Sequence, residues 1–144
     1  MELERGSLPK DLISEPSPSL PKDFPSELIP KNICEVEFFD LIRCTYQDGS
    51  QMTCPKEFKK FLECKRERDL KLFNALQKWE IQRVKDHNPA MQQMYKQGLQ
   101  NKINRLTEAV SVMPTNFWYL HKRQRYETDI EQLQWRLFNL NKYV

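Results

Sequence analysis

Along most of the chain beyond residue 30, apolar side chains recur at gaps of three and four, the spacing of one face of an α-helix. Phe38, Leu41 and Ile42 follow Cys34 by four, seven and eight residues, and Phe58, Phe61 and Leu62 follow Cys54 in the same way. These two units predict one helix over residues 32–47 and a second beginning at Pro55, with Thr53 as its cap. Residues 48–51, Asp-Gly-Ser-Gln, are a turn cluster, so the two helices are expected to run antiparallel. No breaker follows until Asn88-Pro89. Leu72, Phe73, Leu76, Trp79 and Val84 therefore continue helix two as a stripe, with its charge-rich stretch around Lys65, Glu67 and Asp69 expected to be solvated. Two heptad-like seams come next. Met91, Met94/Tyr95, Leu99, Ile103, Leu106, Val110 and Met113 precede a break at Pro114, and Tyr126, Ile130, Leu133, Leu137, Leu140 and Val144 follow it. These seams can pack on the extension of helix two as an intramolecular bundle or on other subunits; their narrowness and polarity favour extended helices that finish burying themselves against partners. The fold class is all-α.

The pattern fails over residues 1–31. Pro9, Pro16, Pro18, Pro21, Pro25 and Pro30 forbid a helix of useful length. Leu12, Ile13, Leu20, Phe24, Leu28 and Ile29 punctuate the stretch, and a purely disordered tail needs no such residues. An extended proline-rich arm lying on a partner's surface is expected. The chain thus divides into an arm (1–31), a helical hairpin (32–66) and a long helical extension (67–144).

All four cysteines lie in the hairpin, at Cys34, Cys44, Cys54 and Cys64. Bridging Cys34 to Cys44, or Cys54 to Cys64, would span about 15 Å of helix rise. A disulfide accepts Cα atoms no more than about 7 Å apart. Pairing Cys34 with Cys54 and Cys44 with Cys64 needs parallel helices. Antiparallel helices leave Cys34–Cys64 and Cys44–Cys54, two rungs in register, each contributing roughly 3–4 kcal/mol at most through loop closure. Phe38, Leu41, Ile42, Phe58, Phe61 and Leu62 would form the core between them. The rivals are buried free thiols, against which the equal spacing argues, and zinc, for which nine-residue gaps are too wide.

Residues 34–64 resemble the twin C-x9-C, or coiled-coil-helix–coiled-coil-helix, family. Both C-x9-C units are present, with Leu41-Ile42 and Phe61-Leu62 three and two residues before each second cysteine. The resemblance implies a disulfide-stapled α-hairpin, residence in the mitochondrial intermembrane space and import through an oxidative relay. Family members include accessory subunits of respiratory complexes, assembly factors, copper chaperones and some mitochondrial ribosome proteins.

Composition narrows this further. With three glycines, no dinucleotide fingerprint or phosphate loop can be written. A net charge of +3 does not favour nucleic acid. No apolar run approaches the roughly 20 residues of a membrane span. Glu2, Glu4, Asp11 and Glu15 do not suit a secretory signal or a mitochondrial presequence. Disulfides without such a leader would conflict in most compartments; the resemblance implies the intermembrane space, which the family enters without a cleaved presequence. His87 and His121 lack the company of a metal set, and no catalytic residue, cofactor or metal site is expected. Phe117, Trp118 and Tyr119, followed by Lys122, Arg123 and Arg125, form a candidate interface for a partner or for lipid headgroups.

The expected function is that of a structural accessory subunit of an inner-membrane respiratory complex, complex I first, clipping neighbouring subunits on the intermembrane-space side and peripheral to the membrane. The alternatives are a soluble assembly factor or metallochaperone, or a mitochondrial ribosome subunit. Oxidised cysteines and the absence of closely spaced extra ones argue against a metallochaperone.

Overall fold

The computed structural model describes residues 16–48 and 54–144. Among these residues it is helical, with no strand. Four α-helices follow one another: α1 (Glu35–Asp48), α2 (Pro55–Lys85), α3 (Pro89–Ser111) and α4 (Leu120–Tyr143). Single 3-10 turns lie at Ser26–Leu28 and Phe117–Tyr119. The expected turn beyond Asp48, the Thr53 cap and the arm before Pro16 lie outside the described residues.

The ends of the helices follow from local chemistry. Helix α1 starts three residues later than the apolar spacing predicts, because Cys34 has a φ of 60° and cannot continue a helix backwards. Asn32 stabilises this start: its side-chain oxygen accepts from the Cys34 N–H at 3.0 Å. The Cys34 carbonyl then accepts the first helical bond, from the Phe38 N–H at 3.0 Å. The break between α2 and α3 falls where Asn88-Pro89 places it. Asn88 caps α3 by accepting from the Met91 N–H at 2.9 Å, with Pro89 at the first helical position.

Among the described residues the chain forms two compact units, one within residues 22–75 and one of residues 16–21 with 76–144. Helix α2 contributes to both. In the first unit α1 pairs with the opening turns of α2, and Phe24, Leu41, Leu62, Leu72 and Phe73 are buried. In the second, the last turns of α2 join α3 and α4 around Ile81, Val84, Leu99, Ile103, Leu133 and Leu140. Tyr95, Leu106, Ile130, Leu137 and Val144 pack against this core. The seams of α3 and α4 thus bury themselves largely on one another and on α2, where the sequence predicts burial against partners. Met91 and Met94, at the start of the α3 seam, do remain exposed.

Part of the arm is held by the chain itself: residues 16–21 pack with the second unit. Arg125 on α4 donates to the Ser17 carbonyl at 2.6 Å, Ser19 donates its hydroxyl to Asp129 at 2.9 Å, and Pro18 is buried. A proline-rich segment suits this role, since it loses little backbone freedom on docking.

Candidate functional site

Two disulfides hold the hairpin. Cys34 is bonded to Cys64, with Cα atoms 5.9 Å apart, and Cys44 to Cys54, at 6.1 Å. Both separations are ordinary for disulfides and set α1 antiparallel to α2. Cys34 and Cys54 are buried. The entry to α1 is tied to α2 a second time, because Arg68 donates to the Ile33 carbonyl at 3.1 Å. Arg68 is placed by Asp69, at 3.2 Å, which Lys65 also contacts at 2.8 Å. Asp69 is therefore a buried, paired carboxylate rather than part of a solvated face. Glu67 and Lys71, at 3.0 Å, do form the expected exposed pair.

The packing between the rungs is narrower than the apolar repeat predicts. Leu41 and Leu62 are buried, and Phe58 and Phe61 are half-buried. Phe38 lies at the rim, its ring 5.6 Å from that of Phe61, and is exposed, as is Ile42. One neighbouring helix covers only a strip of α1. At about 100° per residue the strip is centred on Leu41, between the directions of Cys34 and Cys44, and Ile42 has turned out of it.

The other side of α1 carries a second apolar set that the repeat obscures. Val36 is 70% exposed and Tyr46 90%, with Phe39 also open, and Ile33 is open just before the helix. Phe39 and Tyr46 fall seven residues apart and nearly opposite Leu41. A helix apolar on both faces normally has both faces covered. That signal was present in the sequence, masked by the cysteine pattern.

Carboxylates flank both bridges. Glu37 lies beside Cys34 and Cys64, and Glu57 beside Cys44 and Cys54, with ligand-type atoms within 4.8 Å of one another. Metal binding there requires thiolates. Sulfur atoms bonded to each other do not supply them.

The aromatic–basic stretch is divided by the structure. Phe117 and Trp118 project from the 3-10 turn, 75% and 86% exposed, and Tyr119 and Lys122 are exposed beside them. Arg123 and Arg125 are used internally. Arg123 donates to the carbonyls of Met113 and Pro114 at 2.7 and 3.2 Å, fixing the α3–α4 connection. Arg125 pairs with Asp129 at 3.1 Å and holds the arm. Of the predicted set, Phe117, Trp118, Tyr119 and Lys122 therefore form the open surface.

Comparison with family models, with curated proteins and with solved structures finds no match. The fold itself defines a class: an all-helical protein built on an antiparallel hairpin with two interhelical disulfides. Its bridges and spacing fit a twin C-x9-C-like arrangement.

Proposed function

We infer that this chain is a structural accessory subunit of a mitochondrial inner-membrane respiratory complex, complex I first, acting on the intermembrane-space side. The observation that carries the reading is the apolar face of α1 that no other described residue covers, with Val36, Phe39 and Tyr46 exposed on a helix that two disulfides hold rigid and Ile33 exposed just before it. Rigid presentation lowers the ordering cost of binding. Apolar side chains interspersed with Glu35, Glu37 and Asp40 suit a protein neighbour that supplies both apolar and basic groups. The intermembrane-space assignment rests on the twin C-x9-C resemblance together with oxidised cysteines. No helix among the described residues is long and apolar enough to cross a membrane.

Native-gel fractionation of gently solubilised mitochondrial membranes, following the chain by mass spectrometry, tests this reading. Stoichiometric co-migration with a mature respiratory complex is expected, and Val36→Ser with Tyr46→Ser should abolish it while leaving the hairpin folded. Migration only as a small soluble species, or only with immature assemblies, would replace the reading with that of an assembly factor.

A further inference from the structure

The geometry points to the α3–α4 connection as a membrane-surface anchor, in which Phe117 and Trp118 enter the headgroup region of a bilayer and Lys122 meets anionic headgroups. Residues 109–120 carry no charged side chain, in a chain of which 30% is charged. Three apolar side chains in this stretch project into solvent: Val112, Phe117 and Trp118 are 78%, 75% and 86% exposed. The rings of Phe117 and Trp118 meet edge to face, 5.9 Å apart, so they form one wedge. The wedge is also held in place. Arg123 clasps the Met113 and Pro114 carbonyls behind it, and the Tyr119 N–H closes the turn on the Asn116 carbonyl at 3.2 Å.

Several features favour lipid over protein as the occupant. A stable protein interface covers about 800 Å² per partner, and the exposed side chains of this connection, Val112 and Phe117 to Leu120, supply only part of that. An interfacial anchor needs no more than this, provided that no charge must be desolvated with it. Here none must be, because the nearest acids are Glu108 and Glu127, on either side of the stretch. The cations follow at once: residues 109–126 hold Lys122, Arg123 and Arg125 and no acid. Lys122 is exposed, 5.8 Å from the Tyr126 ring, in the order of aromatic then cation that a bilayer interface favours. The apolar face of α1 contrasts with this, since acids are interspersed along it and anionic lipid would repel them. The proposal does not depend on membership of a respiratory complex.

The test is flotation of the full-length oxidised protein with vesicles of phosphatidylcholine, with and without phosphatidylglycerol. Binding is expected, stronger with phosphatidylglycerol and weakened by salt. Phe117→Ser with Trp118→Ser should reduce partitioning by about tenfold or more, the order expected for losing two buried rings. Lys122→Gln should remove most of the preference for phosphatidylglycerol. Trp118→Phe keeps an apolar ring and should keep binding, while losing most of the blue shift in tryptophan emission that vesicles induce. Failure of the wild-type protein to float with either vesicle would overturn the proposal, as would unchanged flotation of the double serine variant. Loss of the double variant from a detergent-solubilised complex, with its flotation unchanged, would assign the wedge to a protein partner. Absence of the chain from any respiratory complex would remove the accessory-subunit reading and leave this one standing.

Discussion

Glu80 on α2 and Arg136 on α4 form a buried ion pair inside the three-helix unit. Arg136 Nε donates to both carboxylate oxygens, at 3.0 and 3.2 Å, and its Nη2 also contacts the carboxylate. Tyr95 on α3 adds its hydroxyl at 2.5 Å, so each helix contributes one member. Burial alone would lower the Arg136 pKa, but hydrogen bonding to Glu80 and its charge raise it. Glu80 and Arg136 are nearly inaccessible, so removing either one strands the other's charge. Glu80→Gln or Arg136→Met alone should cost about 3–5 kcal/mol, whereas replacing both by apolar residues of similar volume should cost far less. Urea titration of the singles and the double measures this. Single losses below about 1 kcal/mol would mean that water reaches the pair.

The same network makes stability sensitive to alkali. Burial, and then the charge and hydrogen bond of Glu80, raise the Tyr95 pKa above its ordinary 10.0. A raised pKa means that the folded state holds the phenol proton more tightly. Its contribution is complete below pH 10 and is lost as the pH rises towards the folded value. Tyr95→Phe should flatten that alkaline decline in a pH series of denaturant midpoints.

Glu131 behaves oppositely in its consequence at neutral pH. Burial raises its pKa above 4.5, so the ionised side chain opposes folding at pH 7. Glu131→Gln should be more stable than the wild type at pH 7, and the difference should vanish as the pH falls below 4.5, where both side chains are neutral. A constant difference across that range would show that the gain is not electrostatic.

The two bridges should differ in strength. They close loops with sequence separations of 30 and 10, for which loop-closure entropy gives about 3.6 and about 2.7 kcal/mol. Replacing Cys34 and Cys64 by Ser should therefore destabilise the hairpin by about 1 kcal/mol more than replacing Cys44 and Cys54. The outer pair also frees Cys34 from its left-handed conformation, which offsets part of that cost. Thermal unfolding of the two double variants compares them. Equal losses would indicate that this relief, or residual structure in the unfolded chain, cancels the entropic difference.

Docking of the arm rests on Arg125. Arg125→Ala removes the donor to the Ser17 carbonyl and the partner of Asp129. Amides of Ser17, Ser19 and Leu20 should then exchange faster, with the α3 and α4 amides unchanged. Protection that survives the substitution would place the hold in Pro18 burial instead.

The helices and their breaks were legible from local chemistry. Cys54-Pro55, Asn88-Pro89 and Pro114 act within a turn of their own position, and the structure places the boundaries there. The disulfide pairing was legible too, because helix rise and bond reach leave one antiparallel solution. The extent of burial was not. Ile42 and Leu41 are adjacent apolar residues, and only the width of the neighbouring helix decides which one is covered. Nothing within a turn of Gln77, Glu80, Arg136 or Asn139 marks these polar positions for burial. They are buried because polar groups on α2 and α4 meet, with Asn139 donating to Gln77 at 2.6 Å as Arg136 does to Glu80.

By itself, then, the sequence determined what acts over one or two turns: the all-helical class, the breaks at Asn88-Pro89 and Pro114, and the register of the two bridges. Only the tertiary structure decided which apolar faces are covered, that residues 16–21 dock on their own chain, and that Phe117 and Trp118 stay in solvent. Those outcomes depend on pairings across tens of residues, such as Arg125 with Ser17 and Arg136 with Glu80. Hydrophobic periodicity records which face of a helix is apolar but not which segment, if any, will cover it.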